Sequence, residues 1–214
     1  MDNYVVQLNC VSKSLKEINV IHDVDLKLEN SKIYGIVGRN GSGKSVLLKL
    51  MAGLMIPTSG TVKIYGEELK MGHYAKDTGI LLDCTGFLPE YSAHENLRIL
   101  ADIRKVVSEK EIDEILRLVG LDPYSKLAYR KYSLGMKQKL SIAQAFMENP
   151  KLLLLDEPMN ALDKDSVSDM RRYFRNYVKN TGATIVLTSH NSEDIKIMCD
   201  EVFQVEDGRL SICK

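Results

Sequence analysis

The sequence has no excess of charge of either sign. Its 214 residues include 29 basic and 29 acidic side chains, so the net charge is zero. It also contains no run of five or more Lys and Arg residues, the pattern typical of proteins that follow a nucleic-acid backbone. We therefore expect no nucleic acid among its partners.

Long apolar runs and paired cysteines are absent as well. No stretch approaches the roughly 20 apolar residues that a membrane-spanning helix needs, so we expect no direct membrane span. The first ten residues are acidic and polar where a signal peptide would be basic and then apolar, so we expect a cytosolic chain. Neither zinc nor structural disulfides are expected, because the four cysteines form no Cys-x-x-Cys pair.

The sequence does contain enough apolar residues, 44%, for one large domain or two closely packed subdomains. Residues 4–29 alternate apolar and polar side chains in two pieces, which predicts antiparallel strands. The segments KLLLLDE (151–157) and ATIVLTSH (183–190) are apolar on both faces, and an amphipathic helix separates them. Such runs predict a parallel sheet covered by helices, and hence an α/β fold.

Helix signals dominate the middle of the chain. Ser92 with Glu95 and Ser108 with Glu111 both fit the Ser-x-x-Glu capping box, so each pair predicts the start of a helix. Gly120 stands where the glycine that ends a helix belongs.

Two further local signals lie outside this region. Residues 46–55 are apolar nearly all round and predict a buried helix that ends at the PTSG segment, residues 57–60. The pair Asp207-Gly208 between two alternating segments predicts a type I′ hairpin near the C-terminus.

The segment GRNGSGKS, residues 38–45, fits the pattern G-x-x-x-x-G-K-[ST] between a predicted strand and a predicted helix. In such a loop, successive backbone N–H groups surround the β- and γ-phosphates, Lys44 adds a positive charge and the Ser45 hydroxyl can bind Mg²⁺. The simpler alternative is a glycine-rich tight turn, and average residue frequencies give this pattern in roughly one chain in a hundred. Many unrelated enzymes share this loop, so it predicts nucleotide binding and leaves the reaction open.

Two acidic residues after a buried strand narrow the range of possible reactions. Asp156 is expected at the carboxyl edge of the sheet beside the Mg²⁺ held by Ser45, and Glu157 can orient or deprotonate an attacking water. The alternative is a strand followed by an acidic turn. A kinase would need an acceptor pocket and an arginine-bearing lid, so the carboxylate pair favours hydrolysis. His190, at the end of another apolar strand, is either a γ-phosphate contact or a structural histidine.

The order of these motifs resembles the ATP-binding subunits of ATP-binding-cassette (ABC) transporters over essentially the whole chain. The resemblance rests on GRNGSGKS, YSLGMKQ, LLLLDEP, NALD and TSH, in that order. It implies a P-loop NTPase fold of the ABC type, with a RecA-like parallel sheet core, an antiparallel β layer and an inserted helical subdomain. Residues 1–214 would form a single ABC ATP-binding domain, with core and β layer at about 1–83 and 151–214 and the helical insertion at about 84–150.

The resemblance also implies roles for individual residues, with ATP and Mg²⁺ as cofactors. Glu157, His190 and Lys44 would be catalytic, with Glu157 as the carboxylate that acts on water. Ser133 can cap a helix whose N-terminus would meet a γ-phosphate bound by another subunit. The implied ATP-binding residues are Gly38, Asn40, Gly41, Ser42, Gly43, Lys44, Ser45, Val46, Ser133 and Gly135, and the implied metal ligands are Ser45, Asp156 and Asp83.

The implied partners are a separate ABC membrane subunit and a second ATP-binding subunit, in a head-to-tail homodimer with two shared ATP sites. The chain would then lie in the cytoplasm, at the inner face of the cell membrane. Two other classes remain open: an ATP-driven ABC clamp that acts on a non-transport protein, and a DNA-repair ABC ATPase. The second is disfavoured because the sequence has no coiled-coil insertion, zinc-ligand spacing or basic patch.

The sequence departs from the usual family pattern at three places. The signature reads YSLGM where Leu-Ser-Gly-Gly-Gln is usual, Asp83 stands at the position of the Q-loop glutamine, and Leu15 replaces the aromatic residue that stacks on adenine. Asp83, the GFLP segment after it and YSLGMKQ together resemble the branch that exports bacitracin, lantibiotics and related compounds.

Overall fold

The computed structural model describes residues 4–82, 86–190 and 192–213. Within these ranges the chain forms two β-sheets and six α-helices. In chain order the elements are β1 (Tyr4–Leu15), β2 (Ile18–Glu29), β3 (Ile33–Val37), α1 (Lys44–Met51), β4 (Ser59–Ile64), β5 (Glu67–Glu68), β6 (Thr78–Leu81), α2 (Ala93–Arg104), α3 (Glu109–Leu118), a 3₁₀ turn (Tyr129–Lys131), α4 (Leu134–Phe146), β7 (Leu152–Leu155), α5 (Lys164–Thr181), β8 (Thr184–Thr188), α6 (Ser192–Met198), β9 (Glu201–Glu206) and β10 (Arg209–Ile212).

The central sheet has the strand order β10-β9-β3-β8-β7-β6, and every pair except β9 with β10 is parallel. Both faces of this sheet are covered. Leu153 and Leu155 of β7 face a cluster with helices α4 and α5, and Leu152 and Leu154 face a second cluster with α1 and the smaller sheet. The expected parallel α/β fold is confirmed. The prediction worked because a strand with two buried faces needs an uninterrupted apolar run.

The smaller sheet is antiparallel, with the order β2-β1-β4-β5. Along β2, Val24, Leu26 and Leu28 are buried, and the intervening Asp25 and Lys27 are exposed. This alternation is the pattern that predicted the strand, since one face packs on the core and the other meets water.

Helices α2, α3 and α4 lie between β6 and β7 in the chain. Both predicted capping boxes are present. The Ser92 hydroxyl accepts from the Glu95 N–H (3.3 Å), and the Glu95 carboxylate accepts from the Ser92 N–H (2.8 Å), with the same reciprocal pair at Ser108 and Glu111. Among the helices of the described residues, none is long and apolar enough to cross a bilayer.

The predicted end of α1 was wrong. The helix ends at Met51, well before the PTSG segment, because Gly53 adopts a left-handed φ of 74°. The Leu54 N–H then bonds the Lys49 carbonyl (3.0 Å) and the Gly53 N–H bonds the Leu50 carbonyl (3.2 Å), which is the Schellman pattern.

The predicted hairpin at the C-terminal end is confirmed. It joins β9 to β10, and its two turn residues, Asp207 and Gly208, have φ values of 46° and 72°. Positive φ at both positions defines the type I′ turn.

Candidate functional site

The glycine-rich loop runs from the end of β3 to the start of α1, and two of its glycines leave no room for a side chain. Gly38 has φ 155°, and a Cβ there would lie 2.3 Å from the carbonyl oxygen of Val205. Gly43 has φ 109°, and a Cβ there would lie 2.8 Å from Cδ1 of Ile21. The loop therefore needs glycine at both places to pass between β2 and the β9–β10 hairpin.

Polar groups of this loop fit a bound phosphate. Lys44, the first residue of α1, is buried, and its ammonium donates to the carbonyl oxygens of Gly38 (2.9 Å) and Arg39 (3.1 Å). The Ser42 hydroxyl is buried and has no hydrogen-bond partner within the described part of the chain. A buried donor without a partner is costly, and it stands here at a helix N-terminus that favours anions. This donor set suits the phosphates of a nucleotide.

Ser45 and Asp156 meet at the carboxyl edge of the central sheet, as their motifs predicted. The Ser45 hydroxyl donates to Oδ2 of Asp156 at 2.5 Å, and the Thr188 hydroxyl donates to Oδ1 at 2.6 Å. A carboxylate beside a hydroxyl is an oxygen donor set of the kind that Mg²⁺ prefers. Asp83, the third predicted metal ligand, lies outside the described residues.

Thr188 is a site residue that the motifs did not indicate. It is fully buried at the end of β8, and besides contacting Asp156 its hydroxyl accepts from the Glu157 N–H at 2.8 Å. One signal was available: a threonine that ends an otherwise apolar buried strand needs a hydrogen-bond partner.

Glu157 and His190 form a close pair. Nε2 of His190 lies 2.9 Å from Oε1 of Glu157, close enough for an ion pair when the imidazole is protonated, without the alignment of a hydrogen bond. Burial raises the pKa of the Glu157 carboxyl, and the charge of His190 and a backbone hydrogen bond from His190 only partly offset this. A carboxyl with a raised pKa is suited to accept a proton from water near neutral pH.

An open cleft of about 860 Å³ lies against the loop. Of the predicted residues, Gly38, Asn40, Gly41, Ser42 and His190 line it. Asp156 and Glu157 line a separate cavity of about 210 Å³ beside α4, and Val46 lies half-buried in α1.

The far side of the cleft is formed by β2 and the β9–β10 hairpin, through Ile18, Val20, Gln204 and Gly208 among others. Leu15, which the sequence placed against the nucleobase, pairs with Ile18 across the β1–β2 hairpin and is not one of the residues that line the cleft.

The signature residues stand apart from the loop. Ser133 caps α4 by accepting from the Met136 N–H (3.2 Å), as the sequence predicted. Ser133 and Gly135 line another cavity, of about 530 Å³, together with Asp163 and Lys139. Within the described chain, the structure does not bring the signature and the loop into one site.

Comparison with known proteins places this geometry in a family. The family model described as ABC transporter matches residues 21–160. The ABC transporter ATP-binding protein YybJ of Bacillus subtilis (strain 168) is 40% identical, over 96% of this chain and 94% of that protein. The bacitracin transport ATP-binding protein BcrA of Enterococcus faecalis is 36% identical, over 97% of this chain and 68% of BcrA.

A third relative and two solved structures agree. The lantibiotic transport ATP-binding protein SrtF of Streptococcus pyogenes is 30% identical over 98% of this chain and 90% of its own length. A dimeric post-hydrolysis state of the ATP-binding cassette MJ0796 bound to ADP and Pi superposes with a TM-score of 0.88 at 23% identity, with 98% of each chain covered. The ATP-binding subunit of an ABC transporter gives 0.87 at 27% identity, over 98% of this chain and 90% of that one. The chain therefore belongs to the ABC transporter family, as one of its ATP-binding, ATP-hydrolysing domains.

Proposed function

We propose that this ATPase is the motor of an exporter and drives transport through a separate membrane subunit. The observation that carries the proposal is the contact of Ser45 with Asp156 beside the P-loop, with Glu157 next in the chain. This arrangement has what nucleotide hydrolysis requires, and the bacitracin and lantibiotic names of two relatives favour export.

In this proposal each group has a distinct task. The loop N–H groups from Gly38 to Val46, with Asn40, Gly41 and the Ser42 hydroxyl, hold the phosphates, and Lys44 adds positive charge. Ser45 and Asp156 hold Mg²⁺, with Asp83 as a further candidate ligand. The ion would supply positive charge next to the phosphate oxygens.

Glu157 orients the attacking water and takes its proton, and His190 stands beside it to contact the γ-phosphate. The 2.9 Å separation of the two side chains supports a shared role, because it places the two groups side by side.

A second copy of the chain completes the site. Ser133 and Gly135 line a different cavity from the P-loop. A single chain would therefore contribute the P-loop half of one site and the signature half of the other. In a head-to-tail homodimer, the N-terminus of α4 and the Ser133 hydroxyl would reach the γ-phosphate held by the partner's loop.

The membrane subunit would dock through a helix in a groove between β6 and α2. This groove of about 270 Å³ is lined by Thr78, Ile80, Leu100, Ile103 and Arg104, and Ile103 is 76% exposed. The groove also carries charged side chains, Asp77 and Glu148, so it offers an amphipathic helix both apolar and polar contacts. The chain would thus be cytoplasmic, at the inner face of the membrane.

The groove lies where the proposed helical insertion, about 84–150, meets the proposed core and β layer, about 1–83 and 151–214 of a single domain. The alternative, an ABC clamp on a non-transport protein, has no specific observation in its favour.

The proposal requires a membrane protein encoded by a neighbouring gene, and co-expression with that protein tests it. The two proteins should co-purify, and vesicles that contain both should show ATP-dependent movement of a bacitracin-like or lantibiotic peptide. Vesicles made with Lys44→Ala should show none. A complex that hydrolyses ATP without moving any peptide would contradict the exporter assignment.

A further inference from the structure

Helix α4 touches the segment that follows β7 at two places. The side-chain amide of Gln138 donates to the carbonyl oxygens of Glu157 (3.1 Å) and Pro158 (3.0 Å). Nearly one turn earlier, a Cβ on Gly135 would lie 2.8 Å from the carbonyl oxygen of Ala161, so the two backbones are in close contact there. The N-terminal end of α4, which carries the signature, is therefore joined to residues 157–161.

Two of the three contacted residues, Glu157 and Ala161, have a left-handed backbone. Glu157 has φ 48° and Ala161 has φ 61°. Such a conformation is unfavourable for residues other than glycine and persists only where the surroundings hold it. The carbonyl groups of both residues face α4, which is consistent with the helix holding them.

The backbone of Glu157 is held from opposite sides. Its N–H donates to the hydroxyl of Thr188, at the end of β8 (2.8 Å). Its carbonyl oxygen accepts from the Gln138 amide and from the Asn160 N–H, which closes a turn at 3.1 Å. The orientation of the carboxylate thus depends on the central sheet and on α4 together.

We propose that Gln138 is a positioning residue that couples the signature end of α4 to the Glu157 carboxylate of the same chain. The inference rests on the proposed function, in which Ser133 contacts nucleotide held by the partner and Glu157 acts on nucleotide held by its own chain. A shift of α4 upon contact with the partner's nucleotide is transmitted through Gln138 to the Glu157 backbone. Each site of the dimer then hydrolyses ATP efficiently only when the other is filled.

The chemistry of glutamine suits this task. Its amide carries two N–H donors, and two carbonyl oxygens stand within reach. Methionine has a similar length and helix propensity but no donor. Gln138→Met therefore removes the two hydrogen bonds with little change in volume. The control, Lys179→Met, introduces the same residue at an exposed position of α5 that lines none of the cavities described above.

The test compares these two variants with the unaltered chain, each with its membrane subunit. For Gln138→Met we expect kcat to fall roughly 10- to 100-fold, the cost of a small misplacement of a catalytic group. KM and the affinity for a fluorescent ATP analogue should stay within about twofold, since the loop is untouched. Amide hydrogen exchange in residues 157–161 should be faster. Lys179→Met should match the unaltered chain in all four measurements.

Two results would overturn the inference: an unchanged kcat in Gln138→Met, or a loss of kcat matched by an equal loss of nucleotide affinity. Should Gln138→Met fail to fold, Gln138→Glu replaces it, because a carboxylate offers no donor and repels the two carbonyls. Should the unaltered complex not hydrolyse ATP, the proposed function fails. Hydrogen exchange then decides the inference alone, and unchanged exchange in residues 157–161 rejects it.

Discussion

The cleft edge next to Leu15, where the base would stack, carries an aliphatic side chain. Ile18 lines it and is 71% exposed, and its cross-strand partner Leu15 is 39% exposed. Stacking of a base on an aromatic ring is worth roughly 1–3 kcal/mol, and an aliphatic side chain offers only dispersion and burial. Discrimination between bases should therefore be weak.

We expect GTP to compete with ATP within about tenfold, or ~1.4 kcal/mol, and Leu15→Tyr to tighten ATP binding by placing a ring beside Ile18. Competition titrations with a fluorescent ATP analogue measure both effects. Leu118→Tyr, at an equally exposed leucine of α3 (39%), is the control. If ATP is strongly preferred and Leu15→Tyr does not change that preference, another residue must provide the surface on which the base stacks.

The motifs predicted some side-chain contacts of the site and missed others. The contact of Ser45 with Asp156 follows from topology, because parallel strands end at a common edge where the loop also begins. Thr188 and Gln138 were missed because their role is to hold the backbone of Glu157, and a hydrogen bond across 19 or 31 residues leaves no spacing pattern. The contact of His190 with the Glu157 side chain was missed because it also joins residues far apart in the sequence.

At the scale of elements, the start of α2 depends on its capping box. The Ser92 side chain is almost fully buried and satisfies an N–H group that no helical carbonyl can reach. Ser92→Ala should lower the free energy of unfolding by about 1 kcal/mol. Urea denaturation measures the change, and Ser14→Ala on the exposed β1–β2 hairpin should have a smaller effect.

The same capping box predicts a dependence on pH. Hydrogen bonds from the Ser92 backbone and side chain lower the pKa of the Glu95 carboxyl. A lowered folded-state pKa contributes stability above the pKa of the unfolded chain, and this contribution is lost as pH falls through the folded value. Glu95→Gln should therefore flatten the acid side of the stability curve. Glu17→Gln, in an exposed turn, should leave that curve unchanged.

Strand β6 packs closely on α4 at a single glycine. A Cβ on Gly79 would lie 2.0 Å from the carbonyl oxygen of Ala145, so Gly79→Ala must push the helix away from the sheet. We expect the free energy of unfolding to fall by about 1–3 kcal/mol, the usual cost of overpacking. Gly86→Ala, where nothing lies within 4 Å, is the control for thermal unfolding. Equal midpoints for the two variants would contradict the close packing.

Element boundaries were predictable where their signals were local. Capping boxes and the Asp207-Gly208 turn each lie within four residues, so the sequence contained the complete signal. The end of α1 was misjudged because Gly53 stands inside an apolar run, and its left-handed backbone satisfies carbonyls one turn back. The strand order could not be read from any segment, since it depends on pairing between distant residues.

At the scale of the molecule, the proposed function needs two chains that share two sites. The P-loop and the signature line separate cavities, so in the proposed dimer each chain would supply one half of each site. Bound ATP would then join the dimer through its γ-phosphate, and hydrolysis would separate the chains. Dimerisation should need both the nucleotide and Ser133.

The most direct measurement is the oligomeric state of Glu157→Gln at saturating Mg-ATP. In the proposed mechanism the substitution removes the group that activates water and leaves residues 38–45 intact, so ATP should bind without being hydrolysed. On a sizing column the variant should run as a dimer with ATP and as a monomer without it, and adding Ser133→Ala should restore the monomer. A Glu157→Gln chain that keeps normal turnover, or that stays monomeric even with the membrane subunit present, would contradict the account.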